Sequence, residues 1–318
     1  MTAPRFVELC VADATRLAQE LTRGLTQANA QIEPKFFYDA LGSRLFEAIT
    51  ELPEYTPTRT EAALFATHRV AIAAAVHEVV GADITLVDLG AGNGEKAERL
   101  FSDLTPTRYV AVDISIEFLR TTLMRMQQRH PEIEMLGVGL DFSHRLVLPT
   151  ELIRGPALFF YPGSSISNFA PPEALRLLRE MRAQADALLI GVDLIKPHAL
   201  IEAAYDDALG VTAAFNLNVL RHVNRVLGAD FDVRQWRHVA GFNHEASRIE
   251  MHLEARHALT VRWPEGARQF AQGERIHTEN SYKWTCATFT ALLHEAGFAQ
   301  VRTWGTDATG FALLLASA

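Results

Sequence analysis

The chain has 318 residues, 48% apolar and 21% charged, and its 30 Lys+Arg against 38 Asp+Glu leave a formal charge of −8. That length and apolar content allow a substantial core without covalent staples, and the acidic balance argues against a surface built to coat nucleic acid, which needs excess Lys and Arg. Cys10 and Cys286 provide neither a paired framework nor a metal knuckle, and no run reaches the roughly 18 consecutive apolar residues of a membrane helix, so the expectation is a soluble, cytoplasmic monomer that holds no metal and engages neither membrane nor nucleic acid.

Residues 1–60 read as a mostly helical segment that packs with a lid further along the chain. From Ile84 the sequence alternates short apolar runs with amphipathic stretches. The runs are Ile84–Leu89, Tyr109–Ile114, Met135–Leu140, Ala157–Tyr161 and Ala187–Leu194, each apolar on both pleat faces as a covered parallel strand must be. Ile116–Gln128 and Pro172–Gln184 supply helices between them. Repeated βα units predict a doubly wound α/β sheet. Residues 196–284 break this rhythm: Ile201–Leu227 reads as helix, then Arg248–Leu253 and Ala258–Val261 as strands, together an inserted α+β substrate-binding domain. The helix Thr285–Gly297 and an antiparallel pair, Val301–Trp304 with Phe311–Ala316, return to the core, which then comprises 61–195 and 285–318. Five parallel strands plus a terminal hairpin resemble the seven-stranded sheet of a class I methyltransferase more than that of a dinucleotide dehydrogenase.

Gly90-Ala91-Gly92-Asn93-Gly94-Glu95-Lys96 joins the first of these strands to a helix. Glycines let backbone turn tightly and approach a ligand without a Cβ in the way. Dinucleotide enzymes also use such a loop, and three details bear on the choice. Glu95 stands where a dinucleotide fingerprint wants a third small residue, and a carboxylate there would face a pyrophosphate. Asp113, 23 residues after Gly90, ends the second strand where it can bind a ribose diol, which serves either cofactor. Asp141-Phe142 follows the third strand, a carboxylate for an adenine amino group and a ring to flank the base. Together they favour S-adenosyl-L-methionine (SAM) over a nicotinamide cofactor.

Six further blocks are more specific. They are Lys35–Phe46 (KFFYDALGSRLF), Leu52–Glu61 (LPEYTPTRTE), Tyr161–Phe169 (YPGSSISNF), Tyr205–Asn216 (YDDALGVTAAFN), Ile249–Met251 (IEM) and His277–Ser281 (HTENS). In this order, over nearly the whole length, the chain resembles the histidine-specific SAM-dependent N-methyltransferases of ergothioneine biosynthesis. The resemblance implies trimethylation of the α-amino group of L-histidine to hercynine. It implies that Tyr55, Glu279 and Ser281 grip the imidazole, that Asn168 and Tyr205 hold the α-carboxylate, that Met251 lines the pocket, and that Tyr38 and Gly163 lie near the reacting amine. Gly90, Gly92, Lys96, Asp113, Asp141 and Phe142 are implied SAM contacts. There are two departures: Gly94 stands where a less flexible residue is expected, and Ser167 replaces a common glycine before Asn168, which puts the backbone beside the amine in question.

The chemistry suits these residue types. Methyl transfer from a sulfonium has a good leaving group already, so alignment of a neutral amine carries much of the work, and Tyr38 is the candidate to orient that amine or relay its proton. A site built to hydrogen-bond an imidazole rejects apolar amino acids, because its own buried polar groups would go unpaired. Taken singly, each residue has a plainer reading. Tyr38 and Tyr55 would be core rings, Asn168 a helix cap, Met251 core filler and Glu279 a solvated charge. His238, His244, His252 and His257 lack metal spacing and read as surface imidazoles. Other readings left open are the same chemistry on another amino acid or a histidine derivative, and a silent nucleoside-binding homologue.

Overall fold

The computed structural model describes residues 3–9 and 14–318, so Cys10 lies outside it. The chain opens with strand β1 (Arg5–Glu8) and helices α1 (Ala14–Thr26), α2 (Ala40–Thr50) and α3 (Thr56–Val80). Then come β2 (Thr85–Leu89), the single-turn helices α4 (Glu95–Glu98) and α5 (Phe101–Leu104), β3 (Arg108–Asp113), α6 (Ile116–Arg129) and β4 (Glu134–Gly139). They are followed by β5 (Ala157–Tyr161), α7 (Pro171–Arg182) and β6 (Ala187–Asp193). Helices α8 (His198–Tyr205) and α9 (Val211–Leu227) lead into β7 (Trp236–Asn243), β8 (Arg248–Ala255), β9 (Leu259–Trp263), β10 (Gly266–Phe270) and β11 (Arg275–Tyr282). Helix α10 (Cys286–Glu295) and the strands β12 (Gln300–Thr306) and β13 (Phe311–Ser317) end the chain.

These elements divide into two compact units. The first gathers the N-terminal strand, Thr60–Ile195 and Trp284–Ala318; the second joins the helical chain up to Arg59 with Lys196–Lys283. In the first, one sheet runs β1-β4-β3-β2-β5-β6-β13-β12. Strands β2 to β6 are mutually parallel where they pair, and β13 lies antiparallel to both β6 and β12. Each inner strand feeds two cores. Val87, Val110, Leu136 and Phe159 face one cluster, while Leu86, Tyr109, Met135 and Phe160 face the other. That double burial is why the apolar runs lack alternation.

The seven strands read from the sequence form this sheet, and an eighth joins them. Strand β1 adds in parallel to the outer edge of β4, with Arg5 opposite Leu136 and Glu8 opposite Gly139. Gly137 makes room for it, since a Cβ there would lie 2.7 Å from the Phe6 ring. The start of the N-terminal segment is therefore a sheet edge and not part of a helical lid. Helix α3 has the length and composition to cross a membrane, although the sequence contains no unbroken apolar run of that size. Leu64, Ile72, Val76 and Val80 recur on one face and are buried in the cluster with Leu86 and Tyr109, while Arg69, Val70 and Glu78 are exposed. It is one-sided, as a helix covering a sheet should be.

In the second unit the stretch read as one helix is two. The Asp207 carboxylate accepts the backbone N–H groups of Val211 at 3.0 Å and Thr212 at 2.7 Å, and Gly210 takes φ +74°. This caps α9 and stops α8 at Tyr205. Strands β11-β8-β7 form an antiparallel sheet, with β9 and β10 as a separate hairpin. Leu21, Phe37, Phe215, Val219, Leu253 and Ile276 belong to the core they share with the helices.

Candidate active site

The glycine loop is strapped to the end of β3. Gly90 and Ala91 donate their N–H groups to the Val112 carbonyl at 2.8 and 3.1 Å, and Gly92 donates to Asp113 Oδ2 at 3.0 Å. The other oxygen, Asp113 Oδ1, accepts the Ser115 N–H at 3.0 Å. A carboxylate offers about four lone-pair sites, and with the Ile114 N–H also pulling on it the carboxylate keeps acceptor capacity toward a ligand. Burial pushes the Asp113 carboxyl above its ordinary value, against the pull of the backbone N–H groups. Around Gly90, at φ +70°, a Cβ would meet nothing within 4 Å, so the loop's outer face is open to a ligand. Asp141 accepts both the N–H and the hydroxyl of Ser143, and the Phe142 ring stands edge-on to Tyr161 at 5.9 Å.

Gly94 is required here. It sits at φ +71° ahead of α4, and a Cβ would lie 2.6 Å from Met126 Sδ. The less flexible residue expected from the resemblance would be strained and would also collide. Gly94→Ala is expected to lower stability by about 1–2 kcal/mol or more, from the left-handed backbone alone. Thermal unfolding of the two proteins checks this.

Lys96 and Gly163 meet at a residue the sequence reading passed over. Glu61, 1% exposed, accepts Lys96 Nζ at 2.6 Å through Oε2 and the Gly163 N–H at 2.7 Å through Oε1. Gly191 on β6 leaves the space, because a Cβ there would collide with Glu61 Oε1. The only sequence signal was its place at the end of a matching block. Asn168 ends a short 3-10 turn, Ser165–Asn168, and α7 is capped without it: Ala170 holds the cap position and donates its N–H to Glu173 at 3.1 Å. Ser167, fully buried, shares a hydrogen bond of 2.8 Å with Ser164 Oγ, which in turn accepts the Asp193 N–H at 2.7 Å. Ser167 does not have a left-handed φ, so no glycine is needed there.

The remaining candidates lie in the second unit and converge. Strand β11 carries a bulge at Thr278, after which Glu279 pairs with Met251 and Ser281 with Ile249. Thr278 is held by its hydroxyl, which donates to the Met251 carbonyl at 3.0 Å. Paired residues share a face, so Glu279, Ser281 and Met251 point to one side, and all three are buried. A ladder of rings, Tyr38–Phe46, Phe46–Tyr55 and Tyr55–Tyr205, runs at centroid spacings of 5.8, 6.3 and 6.4 Å.

Tyr205 is joined to the sheet by Lys283, which the sequence reading also missed. Its ammonium donates to the Tyr205 hydroxyl at 3.2 Å and to Ser281 Oγ at 2.8 Å. The Glu279 carboxylate accepts no hydrogen bond from the described residues, and burial pushes its pKa up to about 7 against the opposing charge of Lys283. Tyr38, Tyr55, Tyr205, Met251, Glu279 and Ser281 thus form one polar and aromatic set, while Gly163 and Asn168 follow β5 in the first unit with the glycine loop.

Two of the four histidines are not surface imidazoles. His238 donates from Nε2 to the Tyr205 carbonyl and accepts from Asn216 at Nδ1, both at 2.8 Å, and burial lowers its pKa. His252 stands edge-on to His277 at 5.2 Å, with its pKa pushed down to about 4, mainly by burial. His244 and His257 are exposed. Among the described residues, no three His, Cys, Asp or Glu side chains gather as a metal site.

A family model described as histidine-specific methyltransferase, SAM-dependent, matches residues 17–318. The chain is 41% identical to a histidine N-alpha-methyltransferase of Mycolicibacterium smegmatis, with 95% of each covered. It is 39% identical to a protein of the same name from Mycobacterium tuberculosis, with 96% of each covered. An Aspergillus fumigatus protein named N-methyltransferase fsqC is 29% identical over 92% of this chain and 81% of its own length.

Proposed function

Because the chain belongs to the histidine-specific, SAM-dependent methyltransferase family, we propose that it trimethylates the α-amino group of L-histidine to hercynine, the first step of ergothioneine biosynthesis. The observation that carries the substrate is Glu279: a buried carboxylate without a hydrogen-bonding partner among the described residues, on the sheet face it shares with Ser281 and Met251. Such a group is costly unless a ligand donor satisfies it, and an imidazole N–H does so.

SAM, when bound, supplies the sulfonium methyl group that is transferred. The loop residues Gly90 and Gly92 would admit it, Asp113 would accept its ribose diol, Asp141 and Phe142 its adenine, and Lys96 its charged end. The acceptor capacity left on Asp113 and the open space at Gly90 fit that role. On the substrate side Glu279 accepts the ring N–H, and Ser281 and Tyr55 complement it. Tyr205 takes the α-carboxylate. Tyr38 orients the amine and relays its proton. An α-amino group is largely protonated near neutral pH, and loss of its hydration favours the neutral form that reacts.

Mass spectrometry of the protein incubated with SAM and a panel of amino acids tests the reading. Histidine is expected to gain three methyl groups in succession. Absence of methylated histidine, or faster methylation of another amino acid, overturns it.

A further inference from the structure

Lys283 has no part in the roles assigned above, yet it touches two of the residues that carry them. The residue is 4% exposed and lies one position beyond β11. Its backbone is pinned on both sides: its N–H donates to the Ser247 carbonyl at 2.7 Å, and the Ser247 hydroxyl donates to its own carbonyl at 3.0 Å. The ammonium therefore sits where the fold puts it, between the Tyr205 hydroxyl and Ser281 Oγ.

An ammonium has three donors and no acceptor. Each hydroxyl it reaches commits a lone pair to it, and the hydroxyl's own proton is directed elsewhere. Ser281 keeps its proton to donate toward its surroundings, and the ammonium on its oxygen disfavours a second positively charged donor there. The same positive charge favours the ionised form of Glu279, which is an acceptor only. A neutral imidazole presents one N–H and one bare nitrogen, whereas an imidazolium presents two N–H groups.

We propose that Lys283 is a positioning residue that sets the hydrogen-bond polarity of the substrate pocket, fixing Ser281 as a donor beside the acceptor Glu279, so that the pocket selects a neutral imidazole ring. This rests on the histidine reading above. It adds what that reading lacks, a reason for the ring to be held in one protonation state. Without the ammonium, Ser281 is free to rotate and accept, and the pocket no longer distinguishes the two ring forms.

The test uses histidine labelled with ¹⁵N in the ring, bound to the whole protein in the presence of S-adenosylhomocysteine. Nitrogen chemical shifts are expected to show one protonated and one bare ring nitrogen, and to keep doing so below the ordinary imidazole pKa of about 6.5. A bound ring with both nitrogens protonated overturns the proposal. Lys283→Met is expected to weaken histidine binding on the order of tenfold or more, to leave S-adenosylhomocysteine affinity unchanged, and to let the bound ring protonate as pH falls. Native histidine affinity in that variant also overturns the proposal. The labelled ligand on the native protein decides the matter even where the variant does not fold. Failure of histidine to bind at all overturns the substrate reading instead, so the two failures are distinguishable.

Discussion

Asp113→Ala is expected to cost SAM binding about two orders of magnitude or more while leaving the protein folded. One carboxylate has two jobs in the proposed function. It accepts the Gly92 and Ser115 N–H groups that shape the loop, and it would receive a ribose diol on the lone pairs that remain. Hydrogen bonds to a charged group contribute about 1.5–3 kcal/mol each, so losing the diol contacts and loosening the loop together amount to a factor of at least about 100. Burial already disfavours the Asp113 charge in the free protein, so its removal is not expected to unfold the sheet. Calorimetric titration with S-adenosylhomocysteine beside a thermal melt measures both effects. An affinity close to that of the native protein would show that the diol is bound elsewhere.

Glu279→Gln is expected to move binding and stability in opposite directions. Histidine binding should weaken by about 1–3 kcal/mol, because the buried charge proposed to receive the ring N–H is gone. Stability follows from linkage. The Glu279 carboxyl has a pKa of about 7 in the folded protein against 4.5 as its ordinary value. Between those values the folded state holds a proton that the unfolded chain has released, so stability falls as pH rises through that window, and the whole deficit is present above about pH 7. Glutamine removes it. The variant should therefore melt higher than the native protein at pH 8, with the difference shrinking toward pH 4. Histidine affinity of the native protein should decline as pH falls below about 7, since Glu279 must shed its proton to receive the ring. A variant that melts lower at pH 8 would mark Glu279 as a structural charge.

Much of the first unit was legible because its strands are buried on both faces and stand out as apolar runs bounded by turns. Strand β1 was not. Arg5-Phe6-Val7-Glu8 has two apolar residues, and it becomes a strand only because the β4 edge and the gap at Gly137 await it. The break between α8 and α9 depends on a single carboxylate bond pattern at Asp207, which helical periodicity does not register. In the candidate site, the glycine loop, Asp113 and the pairing of Glu279 with Ser281 could be read from spacing and resemblance. Glu61 and Lys283 escaped because an isolated charge is ordinarily a solvated one. What makes them otherwise is tertiary: a missing Cβ at Gly191 admits one, and two hydroxyls from separate elements receive the other.

The extra residue in β11 has a consequence for how acceptor preference is stored. A strand with unbroken alternation would turn Glu279 and Ser281 to the side of His277, away from Met251. The bulge at Thr278 reverses the phase midway, so an apolar anchor at Ile276 and a polar edge three residues later look the same way. If these residues hold the acceptor as proposed, preference is written in phase as well as in spelling: a chain that kept every one of these letters but ironed out the kink would aim Glu279 and Ser281 at the other side of the sheet.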